Sequence, residues 1–181
     1  QSQYDGGLRT PIMVRWKGRI EPKLSDTPVS SLDLFPTILK ACGVKLPAHL
    51  PGVDLTDASA VAARKALYGE CFTHNFVALD QAAPNLRWRW ILEDGWKLIV
   101  PAPQNESSEP ELYRVTDDPY EEMNLAASAS ARAAALRLSH GVAPNSRRWM
   151  RSTRRGAQSS GTRPIPIGSR LTCPTRCARS A

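Results

Sequence analysis

Residues 85–100, NLRWRWILEDGWKLIV, leave little choice of local structure. Leu86, Trp88, Trp90 and Leu92 alternate with Arg87, Arg89, Ile91 and Glu93. After Asp94-Gly95, Trp96, Leu98 and Val100 alternate with Lys97 and Ile99. Period-two alternation on either side of Asp-Gly predicts a β-hairpin. A two-residue Asp-Gly loop would pair Glu93 with Trp96 and mix the two faces. A three-residue loop, Glu93-Asp94-Gly95 with Gly95 left-handed, pairs Leu92 with Trp96 and gathers the large apolar residues on one face. The second register is the expectation, with Trp88, Trp90, Trp96 and Leu98 buried together and the opposite face wet.

Weaker signals flank this hairpin. PIMVRW (11–16) follows a Gly-Gly turn and reads as a short buried strand. In SSLDLFPTILKACG, Leu32, Phe35, Ile38, Leu39 and Cys42 recur at helical spacing, Ser30 or Ser31 caps the start and Gly43 closes the end. Pro36 fits only near the first turn, so the helix proper is expected to start late. A strand followed by a helix suggests the last unit of an α/β sheet. The Pro- and Gly-punctuated stretch from Lys45 to Ala63 reads as a crossing to a second subdomain, and ALYGECFT (66–73) as a strand. ELYRV (111–115) is a further strand. Asp118-Pro119-Tyr120-Glu121 has a capping-box layout, and the Ala-rich run 126–138 is a helix. The expected architecture is therefore α/β: a strand-helix unit ending a large α/β domain (1–50), a small α+β subdomain of antiparallel sheet plus helix (51–139), and a disordered tail (140–181).

Charge separates the tail from the rest. The formal net charge is +7, yet every Asp and Glu lies at or before Glu122. Up to residue 139, fifteen basic residues stand against seventeen acidic, a net of −2, and beyond it there are nine Arg and no acid. Rich in Arg, Ser, Pro and Gly and without periodicity, the tail is expected not to fold. Arg in place of every acid and Lys is also what a shifted reading frame of GC-rich coding sequence tends to give, a hypothesis the nucleotide sequence tests. No apolar run approaches a membrane span, and the polar start QSQYDGG is not read as a signal peptide. Cys42 falls on the apolar helix face, where a buried free Cys is common. Cys71 is isolated, and the Cys173–Cys177 pair has no second pair or His at zinc spacing.

Four segments in order resemble the sulfatase family of the alkaline-phosphatase superfamily. YDGGLRTPIMVRWKG (4–18) is similar to its Y-E-G-G-x-R-x-P turn and strand, and SDTPVSSLDLFPTILKACGVKLP (25–47) to its S-x-x-D-x-x-P-T-[IL]-L-x-x-x-G helix. WKLIV (96–100) with ELYRV resembles the small-subdomain strands, and DDPYEEMNLA (117–126) the x-D-P-x-E-x-x-N-L-A element. No single piece is specific; four in register over about 125 residues carry the resemblance. It implies a sulfuric ester hydrolase acting on a sulfated small molecule or carbohydrate. The family nucleophile is a formylglycine made from the Cys or Ser of C/S-x-P-x-R, and the metal, usually calcium, is held by Asp and Asn. The resemblance places neither the catalytic nor the metal-binding residues in this chain. It makes the chain a C-terminal fragment expected to be inactive without an N-terminal sulfatase portion. CPTR (173–176) has its Pro directly after Cys and does not match. Full-length relatives are typically exported or lysosomal.

What remains are edge residues. Gly6 and Gly7 shape the turn beside the sulfate pocket, and Arg9 faces that pocket or salt-bridges Asp5. The second is favoured, because Arg more often anchors a turn than binds substrate. His74 is a candidate substrate contact as a switchable group near neutral pH, although a lone His after a strand is more often structural or simply exposed. Glu70 is a secondary subsite candidate. Trp88, Trp90 and Trp96 read as core before sugar platforms. Competing functions are a phosphoesterase or phosphonate hydrolase of the same superfamily, separable by the nucleophile; a non-catalytic interaction module; and a nucleic-acid-binding protein using the Arg-rich tail, which lacks any aromatic-interleaved motif.

Overall fold

The computed structural model describes residues 2–105 and 108–140, with side chains through residue 136, all within the unit Gln1–Ser146. From residue 141 on, the expected tail therefore lies outside the described residues. Four antiparallel strands form one sheet in sequence order: β1 Ala66–Phe72, β2 Leu86–Glu93, β3 Trp96–Pro101 and β4 Glu111–Arg114. The helices are α1 Asp5–Leu8, α2 Leu34–Ala41, α3 Ala58–Ala63 and α4 Ser130–His140, with 3-10 turns at Ser31–Asp33 and Ala83–Asn85.

The hairpin forms, but in the other register. Glu93 pairs with Trp96, Leu92 with Lys97 and Ile91 with Leu98. The loop is the two-residue Asp94-Gly95 with both φ positive (50° and 70°), the turn whose twist matches that of the strands it joins. Arg89 consequently pairs with Val100 and shares its face with Ile91 and Leu98. The expectation of one apolar face failed because both faces of the sheet are covered. On one face Ile91, Leu98, Val100 and Leu112 meet Ala133 and Leu136 of α4. On the other, Trp90 and Lys97 lie against the N-terminal segment. With no wet face to avoid, turn chemistry decides the register.

Two other expected elements are absent. Residues 11–16 form no strand: Met13 is 90% exposed, and no described strand pairs with the segment. A strand needs a neighbour for its backbone groups, and the sheet has none to offer there. At 118–123 the Asp118 carboxylate accepts from the backbone N–H of Glu122 and Met123, closing a turn instead of starting a helix. Glu121 takes φ 56°, which ends any helical path and turns its side chain inward.

The α2 segment forms as expected with a late start. Ser30 Oγ accepts from Leu32 N, Asp33 reaches back to Ser30 N, and Gly43 has φ 69° past the helix end. Its burial is inverted, however. Leu32, Phe35 and Ile38 are exposed and Cys42 with them, whereas Asp33 and Thr37 are buried. Asp33 is a hub: both carboxylate oxygens lie 2.8 Å from Arg64 Nη1, and Oδ1 accepts from Val53 N at 2.9 Å. Thr37 Oγ1 donates to Asp33 O and accepts from Leu55 N, so the 53–55 strip is stitched onto the helix by polar groups.

Candidate substrate-facing site

The sheet face opposite α4 carries a line of polar and aromatic groups against the N-terminal turn. Lys97 is fully buried, with Nζ 2.6 Å from Asp5 Oδ1 and 2.7 Å from Glu121 Oε1. Glu121 Oε2 also accepts from the Asp5 backbone N–H. The ammonium sits 5.7 Å from the Trp90 ring centroid, a cation–π contact in a dry setting. One residue earlier, Tyr4 Oη donates to Glu111 Oε2 at 2.8 Å, and Tyr113 Oη reaches the same oxygen at 2.7 Å. Burial, and then the Glu111 carboxylate, push both phenols above their ordinary range, so each stays a donor. Asp5 and Tyr4 are thus pinned to β3 and β4, while Gly6 and Gly7 remain exposed at the outer rim of α1. A Cβ at Gly6 would meet nothing within 4 Å, so the rim is open on that side.

Beside this turn lies a shallow depression lined by Gln3, Cys71, Thr73, His74, Arg87 and Trp88. Its rim is the loop between β1 and β2, organised by the almost fully buried Asn85. The Asn85 side-chain oxygen accepts from Val77 N at 2.6 Å and Ala78 N at 3.3 Å, and its Nδ2 donates to Ala78 O and Gln81 O. Its backbone oxygen accepts from Thr73 N at 2.7 Å. One side chain therefore ties the loop to the start of β2, leaving Phe76, Val77 and Leu79 exposed at the tip. Arg87 Nη1 donates to Asn105 Oδ1 at 2.9 Å, which steadies the guanidinium along the depression.

The three sequence candidates are not brought together. His74 is exposed and lines the depression. Glu70 points to the opposite sheet face, where it pairs with Arg89 Nε at 3.2 Å. Arg9 is exposed, and the Asp5 carboxylate expected to pair with it is engaged by Lys97. Sequence reasoning passed over Lys97, Asn85 and Arg87. Lys97 read as a wet-face residue, and the signal against that was the Asp-Gly dipeptide, whose preferred loop puts Lys97 opposite Leu92. Among the described residues no group of three or more His, Cys, Asp or Glu is placed to hold a metal ion, and no helix is long and apolar enough to cross a membrane.

A family model described as N-sulphoglucosamine sulphohydrolase, C-terminal, matches residues 1–145. Arylsulfatase K of Xenopus laevis is 27% identical over 129 residues, 69% of this chain and 24% of that protein. Arylsulfatase A of Bos taurus is 43% identical over 54 residues, 29% of this chain and 11% of that protein. The chain spans about a quarter or less of the length of these curated relatives. A solved structure described under the metabolism of multiple glycosaminoglycans by Bacteroides thetaiotaomicron has a TM-score of 0.51 at 19% identity, covering 65% of this chain and 26% of that one. That likeness is one of fold.

Proposed function

Because the chain belongs to the N-sulphoglucosamine sulphohydrolase C-terminal family, we propose that it is the C-terminal portion of a sulfuric ester hydrolase acting on a sulfated carbohydrate. The observation that carries this is the family match over residues 1–145, which takes in both the braced turn and the sheet that braces it. In this reading α1 forms one edge of the sulfate pocket. The chain's own residues hold that edge: Lys97 ion-pairs with both Asp5 and Glu121 and so fixes the turn, and the exposed glycines let a substrate approach the backbone closely. The exposed apolar side chains of residues 8–46, among them Met13, Leu24, Phe35 and Ile38, suit packing against an α/β body. On that basis residues 1–50 are assigned to the end of the catalytic domain and 51–139 to a small subdomain.

In this reading the groups that break the ester lie outside these residues. The sequence has no C/S-x-P-x-R, and the described residues offer no cluster fit for calcium. We derive no step through either. Nucleophile and metal, if used as the family resemblance implies, come from other residues of a longer protein. The test is the coding sequence upstream of Gln1 together with assays of the intact protein. An in-frame C/S-x-P-x-R and turnover of 4-methylumbelliferyl sulfate are expected. A Thr or unmodified Ser nucleophile with turnover of a phosphate or phosphonate monoester would overturn the sulfatase reading.

A further inference from the structure

Of the polar constellations among the described residues, the Lys97 and Asp33 hubs pair their charged groups with one another inside the protein. The depression at Trp88 differs, because His74 and Arg87, which line it, are exposed. The half-buried Trp88 lines it together with His74, Arg87 and Gln3, and no Asp or Glu is among its lining residues. One of the five Arg87 donors goes to Asn105, so the group is oriented with donors to spare. An indole face with convergent donors and no acid suits a ring-shaped polar ligand bearing a negative charge. The β1–β2 loop rim is held by a side chain that uses all four of its hydrogen-bonding positions. Such preorganisation lowers the ordering cost of binding. Only Tyr4 and Asp5 separate Gln3 from Gly6, so the depression adjoins the turn.

We propose that Gln3, His74, Arg87 and Trp88 form a subsite for an anionic sugar, gripping the part of the substrate beyond the ester that is cleaved at the Gly6-Gly7 edge. This rests on the sulfatase reading for its location in a larger site, but not for its chemistry. Trp88 stacks on the sugar face, and Arg87 and His74 bind its sulfate or carboxylate, so the subsite selects substrates without taking part in bond cleavage.

The experiment titrates the complete 181-residue chain with glucosamine 6-sulfate, glucuronate, glucosamine and inorganic sulfate, following Trp fluorescence and the His and Trp side-chain NMR signals. Saturable binding of one or both sugar anions, tighter than that of glucosamine or free sulfate, is expected. The two anions distinguish a sulfate-selecting from a carboxylate-selecting pocket. His74→Gln and Arg87→Gln should each weaken binding about tenfold or more, the weight of one charge-assisted hydrogen bond, while Lys23→Ala, on a remote exposed charge, leaves it unchanged. Both substituted residues lie at the exposed rim, and matching circular dichroism spectra would confirm folding. No saturable binding of either sugar anion, or equal binding by wild type and both variants, overturns the proposal. Sugar-anion binding lost in the variants, in a protein whose intact form cleaves phosphonates and not sulfates, would sink the sulfatase reading and leave the subsite standing.

Discussion

Lys97 joins three separated parts of the chain through one side chain. It is a full charge with no solvent access, balanced by Asp5 from the N-terminal turn and Glu121 from a left-handed corner. Removing one partner of a buried ion pair typically costs about 3–5 kcal/mol, because the remaining charges lose their compensation. Lys97→Met is expected to destabilise by that amount in urea denaturation, and Lys97→Met with Glu121→Gln by less. A single variant that unfolds at the wild-type midpoint would mean that water reaches the cluster. Asp33 gives a pH dependence. Burial alone would raise its pKa, but Arg64 and the Ser30 and Val53 backbone donors outweigh burial and hold it below the ordinary 3.8. The unfolded chain therefore takes up the proton first as pH falls. The stability Asp33 supplies is present above about pH 3.8 and is lost below it. Urea midpoints should fall between pH 6 and pH 3, and less steeply in Asp33→Asn.

Elements in this protein follow local chemistry where the local signal is a turn or a cap, and depart from it where a partner is needed. The Asp94-Gly95 loop imposes its own register on two strands whose apolar pattern suggested another. Gly95 is held at φ 70°, and a Cβ there would sit 2.7 Å from Thr116 Cγ2. Gly95→Ala is thus expected to cost roughly 1–2 kcal/mol through backbone strain, measured as a lowered thermal midpoint, whereas Asp94→Asn keeps the loop. Gly69 has a different reason. The Trp90 indole lies across it, 2.3 Å from where a Cβ would be. Gly69→Ala must displace that ring and with it the Lys97 contact, which near-ultraviolet circular dichroism would register. In contrast, the extended 11–16 segment has apolar composition without a neighbouring strand, so composition alone did not make it a strand.

At the scale of the molecule, the sheet with α4 is a closed core, and residues 8–46 leave Met13, Leu24, Leu32, Phe35, Ile38 and other large apolar side chains in the open. Such a surface invites association. The chain studied alone is expected to bind a hydrophobic dye strongly and to self-associate, and detection of a dye-silent monomer would contradict this. Activity belongs to the same scale. In the proposed sulfatase, nucleophile, metal and cations would act as a unit whose loss costs many orders of magnitude. The 181-residue chain should therefore show no calcium-stimulated turnover of a fluorogenic sulfate above background. Metal-dependent turnover abolished by Arg9→Ala would place a working active site within these residues.

The sequence by itself determined what short-range chemistry can decide. It located β1, the hairpin, β4, the late start of α2 and the helix after residue 126, because alternation, caps and Asp-Gly act over a few residues. Its four ordered motifs carried the family. What only the tertiary structure decided is which face each element buries. The register reversed because α4 and the N-terminal turn cover opposite sides of one sheet. Phe35 and Ile38 are bare because nothing described packs on them, although their helical spacing reads as core. Burial is a property of neighbours distant in sequence. The cluster joining Asp5, Lys97 and Glu121 unites residues that no local pattern connects, so the brace of the turn became visible only once the chain was folded.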